Sequence, residues 1–163
     1  MISEVDMTHL RRCVALAEEA VDAGDQPFGS VLVSSGGDIL YEGRNEVAGG
    51  DHTRHPEFAI ARWAVENMTP VERASATVYT SGEHCPMCAA AHGWVGLGRI
   101  VFATSSDQLV AWLDRRGLSR PPVNALPIQA VIRDAVVAGP VPELVDDVFA
   151  LHERALDRAS AAP

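Results

Sequence analysis

Two prolines constrain much of what this chain can become. Pro56 and Pro86 each open an apolar stretch with helical spacing, at the first turn, where a missing N–H costs little. Each follows a residue that can bind a metal, His55 before Pro56 and Cys85 before Pro86. Glu57 completes a His-x-Glu pattern, and Cys88 completes a Cys-x-x-Cys pair with its proline inside. A fold that uses these groups jointly must bring two helix starts together.

One imidazole and two thiolates suit zinc and leave a fourth position open for water. An open position belongs to catalysis, and the neighbouring Glu57 is free to move protons. Thiolates at a helix start also meet the positive end of the helix dipole, which helps keep them deprotonated. Taken alone, the cysteine pair has other readings. It could be a redox pair, or half of a structural site with His84 or His92 as a fourth ligand. His-x-Glu alone is weak, since such pairs are common at solvated helix starts. The joint pattern, on two expected helix starts, is specific.

The segments around the motif alternate. Thr8 to Gly24 has one apolar helical face, with Thr8 as the expected cap. Phe28 to Val33 and Ile39 to Asn45 read as strands of a hairpin around Ser34-Ser35-Gly36-Gly37-Asp38. Helices are expected over Pro56 to Met68, Pro86 to Val95, Ser106 or Asp107 to about Arg116, and Val141 to Arg158. Further strands are expected over Thr77 to Thr80, Ile100 to Thr104 and Ile128 to Ile132. Gly117 to Pro127 reads as a loop. Residues 1–158 form one domain, and 159–163 a frayed tail. Such alternation implies a mixed sheet covered on both faces, with its site at strand ends on helix N-termini.

The chain has 163 residues, enough for one domain with a real core. Three cysteines, two closely spaced, argue against a disulfide scaffold and for a reducing, cytoplasmic setting. No apolar run is long enough to span a bilayer, and the N-terminus lacks secretory-signal features. The net charge is −9, and all 13 basic residues are Arg. Phosphate binding calls for a basic surface, and Arg115, Arg116 and Arg120 are the one dense cluster. The charge therefore argues for a small uncharged substrate and against tRNA or DNA.

The motifs resemble the cytidine and deoxycytidylate deaminase superfamily, in its branch of guanine, cytosine and tRNA adenosine deaminases. The resemblance rests on Pro27-Phe28-Gly29, Gly43-Arg44-Asn45, His55-Pro56-Glu57, Thr80-Ser81-Gly82-Glu83, Cys85-Pro86-Met87-Cys88, Trp94 and Arg99 to Ala103. It covers roughly Leu10 to Asp114. It implies a three-layer α/β/α sandwich around a mixed five-stranded sheet, with one Zn2+ per subunit held by His55, Cys85 and Cys88. It implies that Glu57 shuttles protons and Asn45 hydrogen-bonds the base. Phe28 and Trp94 would flank the ring, the backbone of Ser81 to Glu83 would contact the exocyclic group or its neighbours, and Asp114 would read a ring N–H or amino group.

The resemblance further implies hydrolytic deamination of a free nucleobase or related aminated heterocycle (guanine, cytosine or an aminotriazine such as ammeline) in a homodimer. A tRNA adenosine deaminase or a nucleoside deaminase is the alternative within the enzyme class. A non-enzymatic module with four protein ligands on its zinc is the alternative outside it. Departures from the family pattern are Pro56, His84 and His92-Gly93. His84 is expected to face solvent, and His92-Gly93 to open space near the ring. His9 and His152 are expected at solvent or interface positions. Cys13 is expected as a small buried hydrophobe, Trp63 and Trp112 in the core or at a subunit contact, and Asp146, Asp147 and Glu153 on a solvated helix face. The resemblance to guanine deaminases makes the C-terminal segment, with Phe149 and His152, a candidate for closing the active site of a partner subunit.

Overall fold

The computed structural model describes residues 2–161. Seven helices and five strands run in the order α1 (Glu4–Asp22), β1 (Gly29–Val33), β2 (Ile39–Arg44), α2 (Pro56–Asn67), α3 (Pro70–Ser75), β3 (Thr77–Gly82), α4 (Pro86–Val95), β4 (Arg99–Thr104), α5 (Ser106–Arg115), α6 (Ile128–Val131), β5 (Val137–Ala138) and α7 (Pro142–Ala161). The strands form one sheet in the order β2-β1-β3-β4-β5. β1 is antiparallel to both β2 and β3, while β3, β4 and β5 run parallel. The chain thus folds as the expected three layers around a mixed five-stranded sheet.

The two faces of the sheet follow the period of two that strand geometry imposes. Val31, Val33, Tyr79, Val101 and Ala103 point to one side and pack on Leu10, Cys13 and Leu16 of α1 and Leu144 and Val148 of α7. Leu32 and Val78 point to the other, against Ile60, Ala61 and Ala64 of α2. Ile100 and Phe102 share that side with Ala89 of α4 and Ile128 of α6. Gly29 lets α1 approach β1 closely, since a Cβ there would lie inside contact distance of the Cys13 carbonyl oxygen and the Ala17 nitrogen.

Antiparallel pairing places the start of β1 beside the end of β3, with Ser30 opposite Thr80, and beside the end of β2, with Gly29 opposite Arg44. Phe28, Asn45 and Ser81 therefore gather at one edge of the sheet, where α4 begins.

Several expectations need correction. α1 starts at Ser3, whose side chain forms a capping box with Asp6, and Thr8 lies inside the helix. Ile128–Ile132 is not a strand: α6 occupies Ile128–Val131, and β5 is Val137–Ala138. A short apolar run does not distinguish a strand from a buried helical turn. α3 was not anticipated, although Thr69 and Glu72 form a capping box around Pro70. α7 runs on through 159–161, while 162 and 163 lie outside the described residues.

Candidate active site

His55 is the N-cap of α2, and Cys85 is the N-cap of α4. Their side chains meet with that of Cys88, one turn into α4. The three distances Cys85 Sγ–His55 Nδ1, Cys88 Sγ–His55 Nδ1 and Cys85 Sγ–Cys88 Sγ are each 3.6 Å. A tetrahedral zinc with ordinary Zn–S and Zn–N bond lengths sets its ligand atoms about 3.6–3.8 Å apart. The triangle fits that ion. Among the described residues it is the one group of three or more such side chains that could hold a metal, and neither His84 nor His92 joins it.

The electrostatics of the triangle ask for a cation. Hydrogen bonds from Cys88 and His55 pull the Cys85 thiol down to about 4. The contact with Cys85, burial and the nearby Glu57 push the Cys88 thiol far up. His55 is raised by its bond to Cys85. Without a positive ion one thiolate is favoured and the second is opposed, whereas a divalent cation stabilises both.

Glu57 is buried on the first turn of α2. Its Oε2 faces Cys88 Sγ at 3.7 Å. Its Oε1 accepts hydrogen bonds from the Ser30 and Thr80 hydroxyls, each at 2.8 Å. Nothing in the local sequence pattern marked these hydroxyls, because their meeting depends on strand register.

Asn45 is fully buried. Its Oδ1 accepts from the backbone N–H groups of Gln26 and Val47, at 3.3 and 3.2 Å, and its own N–H donates to the Phe28 carbonyl at 2.9 Å. The side-chain Nδ2 has no partner. An unpaired buried amide donor is costly, so this group is suited to an acceptor brought by a ligand. The Arg44–Asp25 ion pair, at 2.7 Å, ties the loop before β1 to the loop after β2 and holds Asn45 between them.

Phe28 lies against Gly82, where an added Cβ would come within 2.9 Å of the ring. Its ring meets His152 edge-on at 5.4 Å. His152 in turn packs on Trp112 and Phe149, at centroid distances of 5.2 and 5.5 Å. An aromatic wall from α5 and α7 thus closes on Phe28 within a single subunit. Burial lowers the His152 pKa to about 4, so its ring is neutral at physiological pH.

Two candidate contacts, Trp94 and Asp114, do not gather here, and a third, Glu83, turns its side chain elsewhere while its backbone stays beside Cys85. Trp94 is 90% exposed and lines a groove with Phe58, Ala61 and Val65 of α2. Helical phase explains this: Cys88 and His92 face inward, which turns Trp94 out. Asp114 lies exposed at the end of α5 in a two-pronged ion pair with Arg120, at 3.0 and 2.6 Å. The Glu83 carboxylate is spent on backbone N–H groups, those of Ser106 at 2.8 Å and Ile128 at 2.9 Å.

The histidines also differ from expectation. His84 is fully buried, with both ring nitrogens unpartnered, and lies edge-on to His92 at 5.4 Å. His92 is held by the Gly98 carbonyl at 2.9 Å. His9 is buried beside Tyr79, and Glu153, on the partly solvated face of α7, accepts from Trp112 Nε1 and Arg116.

Residues 3–104 match the sequence family described as the cytidine and deoxycytidylate deaminase zinc-binding region. A probable cytosine deaminase of Schizosaccharomyces pombe is 31% identical over 120 residues, 74% of this chain and 73% of its own. A guanine deaminase of Bacillus subtilis is 39% identical over 98 residues, 59% of this chain and 62% of its own. A tRNA-specific adenosine deaminase of Haemophilus influenzae is 34% identical over 104 residues, 63% of this chain and 60% of its own. In fold, a guanine deaminase from Nitrosomonas europaea superposes with a TM-score of 0.68 at 18% identity, over 96% of this chain and 86% of that one. The chain therefore belongs to the cytidine and deoxycytidylate deaminase family and is a hydrolytic deaminase with that family's zinc-binding region.

Proposed function

We propose that this protein deaminates a free nucleobase or a related aminated heterocycle (guanine, cytosine or an aminotriazine such as ammeline) and releases ammonia. The observation that carries the reading is the unpartnered Nδ2 of Asn45, a buried donor set near Phe28. A small ring offers a carbonyl or ring-nitrogen acceptor to that donor and an apolar face to Phe28. His55, Cys85 and Cys88 hold the zinc, which when bound makes water acidic enough to ionise near neutral pH. Glu57 would take one proton from the water at Oε2 and deliver it to a ring nitrogen as the oxygen adds to the amino-bearing carbon. It would then take the remaining proton of that added hydroxyl and pass it to the amino group, so that the C–N bond breaks, C=O forms and ammonia leaves. Asn45 fixes the ring so that the amino-bearing carbon faces the triangle.

A tRNA adenosine substrate is the second reading, supported by the resemblance to tRNA-specific adenosine deaminases. The charge disfavours it. Two of the three clustered arginines are already neutralised, Arg116 by Glu153 and Arg120 by Asp114. An ammonia-release screen over purines, pyrimidines, triazines, their nucleosides and a tRNA anticodon stem-loop separates the readings. Release from a free base supports the proposal, and release from the stem-loop alone overturns it.

The active protein is proposed to be a cytoplasmic homodimer. The groove carrying Trp94, Phe58 and Val65 runs along α2 and α4, the two helices whose starts bear the metal ligands. The exposed Trp94 beside exposed Val65 supports this reading, since such apolar patches favour association. Light scattering should give twice the chain mass, and Trp94→Glu should give the monomer. A wild-type monomer at micromolar concentration rejects the dimer.

A further inference from the structure

We infer that Ser30 and Thr80 are positioning residues that occupy one oxygen of Glu57, leaving the other as its sole proton-carrying atom. The inference rests on the reading of Glu57 as the proton carrier. Ser30 and Thr80 face each other across the antiparallel β1–β3 pair, and both are fully buried. Each hydroxyl lies 2.8 Å from Glu57 Oε1, and the two hydroxyl oxygens are 2.9 Å apart. Three oxygens thus form a closed triangle behind the carboxylate.

Each hydroxyl has one proton to donate. Thr80 gives its proton to Oε1, and Ser30 shares its own between Oε1 and the Thr80 oxygen. The lone pairs of Oε1 are committed. A proton arriving there would break one of these bonds in a buried place, which is costly. Oε2 accepts from no hydroxyl, and its one donor is the Cys88 thiol, which gives up its proton when it ligates a metal. That sulfur lies at 3.7 Å, on the side of the metal triangle. A proton taken up at Oε2 is therefore also given up from Oε2. The carboxyl group need not rotate between uptake and delivery, and one proton enters for each that leaves.

Both hydroxyls come from interior strands of the sheet, β1 and β3, each hydrogen-bonded on both sides, whereas Glu57 sits on a helix. The triangle ties the helix-borne carrier to the sheet. Such support from rigid elements is what holds an acid–base group within the narrow geometry that proton transfer demands.

The test compares Ser30→Ala, Thr80→Val and Thr80→Ser, the last of which keeps the hydroxyl. Turnover is measured on whichever of guanine, cytosine or ammeline the zinc-loaded protein deaminates. Ser30→Ala and Thr80→Val should each lower kcat on the order of tenfold, with KM and zinc content unchanged, while Thr80→Ser stays near wild type. A second readout needs neither metal nor substrate. The infrared carboxylate bands of Glu57, assigned by subtracting the spectrum of Glu57→Gln, should shift in Thr80→Val and not in Thr80→Ser. Unchanged kcat in Ser30→Ala and Thr80→Val, or equal losses in Thr80→Val and Thr80→Ser, overturns the inference. Near-normal turnover by metal-loaded Glu57→Gln instead sinks the proton-carrier reading itself, so the two failures are told apart.

Discussion

The carboxylate of Glu83 holds the first backbone N–H of α6, at Ile128, across 45 residues of chain, at 2.9 Å. Its other oxygen holds the N–H of Ser106 at the start of α5. One side chain thus satisfies two helix starts that would otherwise leave orphan donors. Glu83→Ala should cost about 2–3 kcal/mol of stability. Urea unfolding of the metal-free protein measures this. A loss of substrate affinity without a loss of stability would assign Glu83 to substrate contact instead.

Asn45 tests the substrate pose. Asn45→Ala removes the free donor and also the acceptor that the Gln26 and Val47 N–H groups use. Its kcat/KM should fall by about a hundredfold or more, since a site built around a hydrogen bond discriminates strongly. Asn45→Asp keeps the acceptor for the Gln26 and Val47 N–H groups and loses the donor, so it should be less destabilising than Asn45→Ala at low pH, where the new carboxyl is neutral, and still lose activity. Parallel thermal melts and steady-state kinetics check both.

The metal triangle makes a separable claim. Cys88→Ser and His55→Ala should bind zinc at least tenfold more weakly, and a chelator should abolish wild-type activity in a way that added zinc restores. Glu57→Gln should keep full zinc and lose turnover. Metal content by atomic emission, beside ammonia release, distinguishes a lost ion from a lost proton carrier.

His152 should make the fold acid-sensitive. Its pKa is depressed from 6.5 to about 4 by burial in the aromatic wall. The neutral ring is the form the folded state holds. This contribution is complete above pH 6.5, declines as the unfolded chain takes up the proton, and is lost as pH falls through about 4. Over that window it amounts to about 3 kcal/mol. His152→Phe should flatten the stability profile between pH 6.5 and 4, read by chemical denaturation at several pH values. An unchanged profile would mean that the ring is not buried as described.

Asp114 should be dispensable. It is exposed and bound to Arg120, and Asp114→Asn should leave kcat and KM within about twofold, as expected for a screened surface pair. A large rise in KM would return it to the site.

The core of this architecture was readable because it rests on local signals. Pro56 and Pro86 mark helix starts, short runs rich in β-branched and aromatic residues mark β1, β3 and β4, and the bounds of α4 follow from its own sequence. The metal group was readable because its residue types are rare and its spacing is short. What escaped depends on tertiary position. Trp94 looks like a ring-stacking residue until helical phase turns it outward. His84 and His152 look like solvent residues until the packing around them is known. Ser30 and Thr80 lie 50 residues apart, and only register joins them. Ile128 carries a strand-like run, yet Glu83 caps it as a helix.

The parity of the sheet gives Glu57 a second role. Ser30 and Thr80 share their side of the sheet with Leu32 and Val78, the side that α2 covers. A slip of β1 by one residue would turn the Ser30 hydroxyl towards α1 and set Val31 against the buried carboxylate. An ionised group facing a valine side chain is strongly disfavoured. The residue proposed to move protons would then also proofread strand pairing during folding, because only the correct register gives its charge a place to rest.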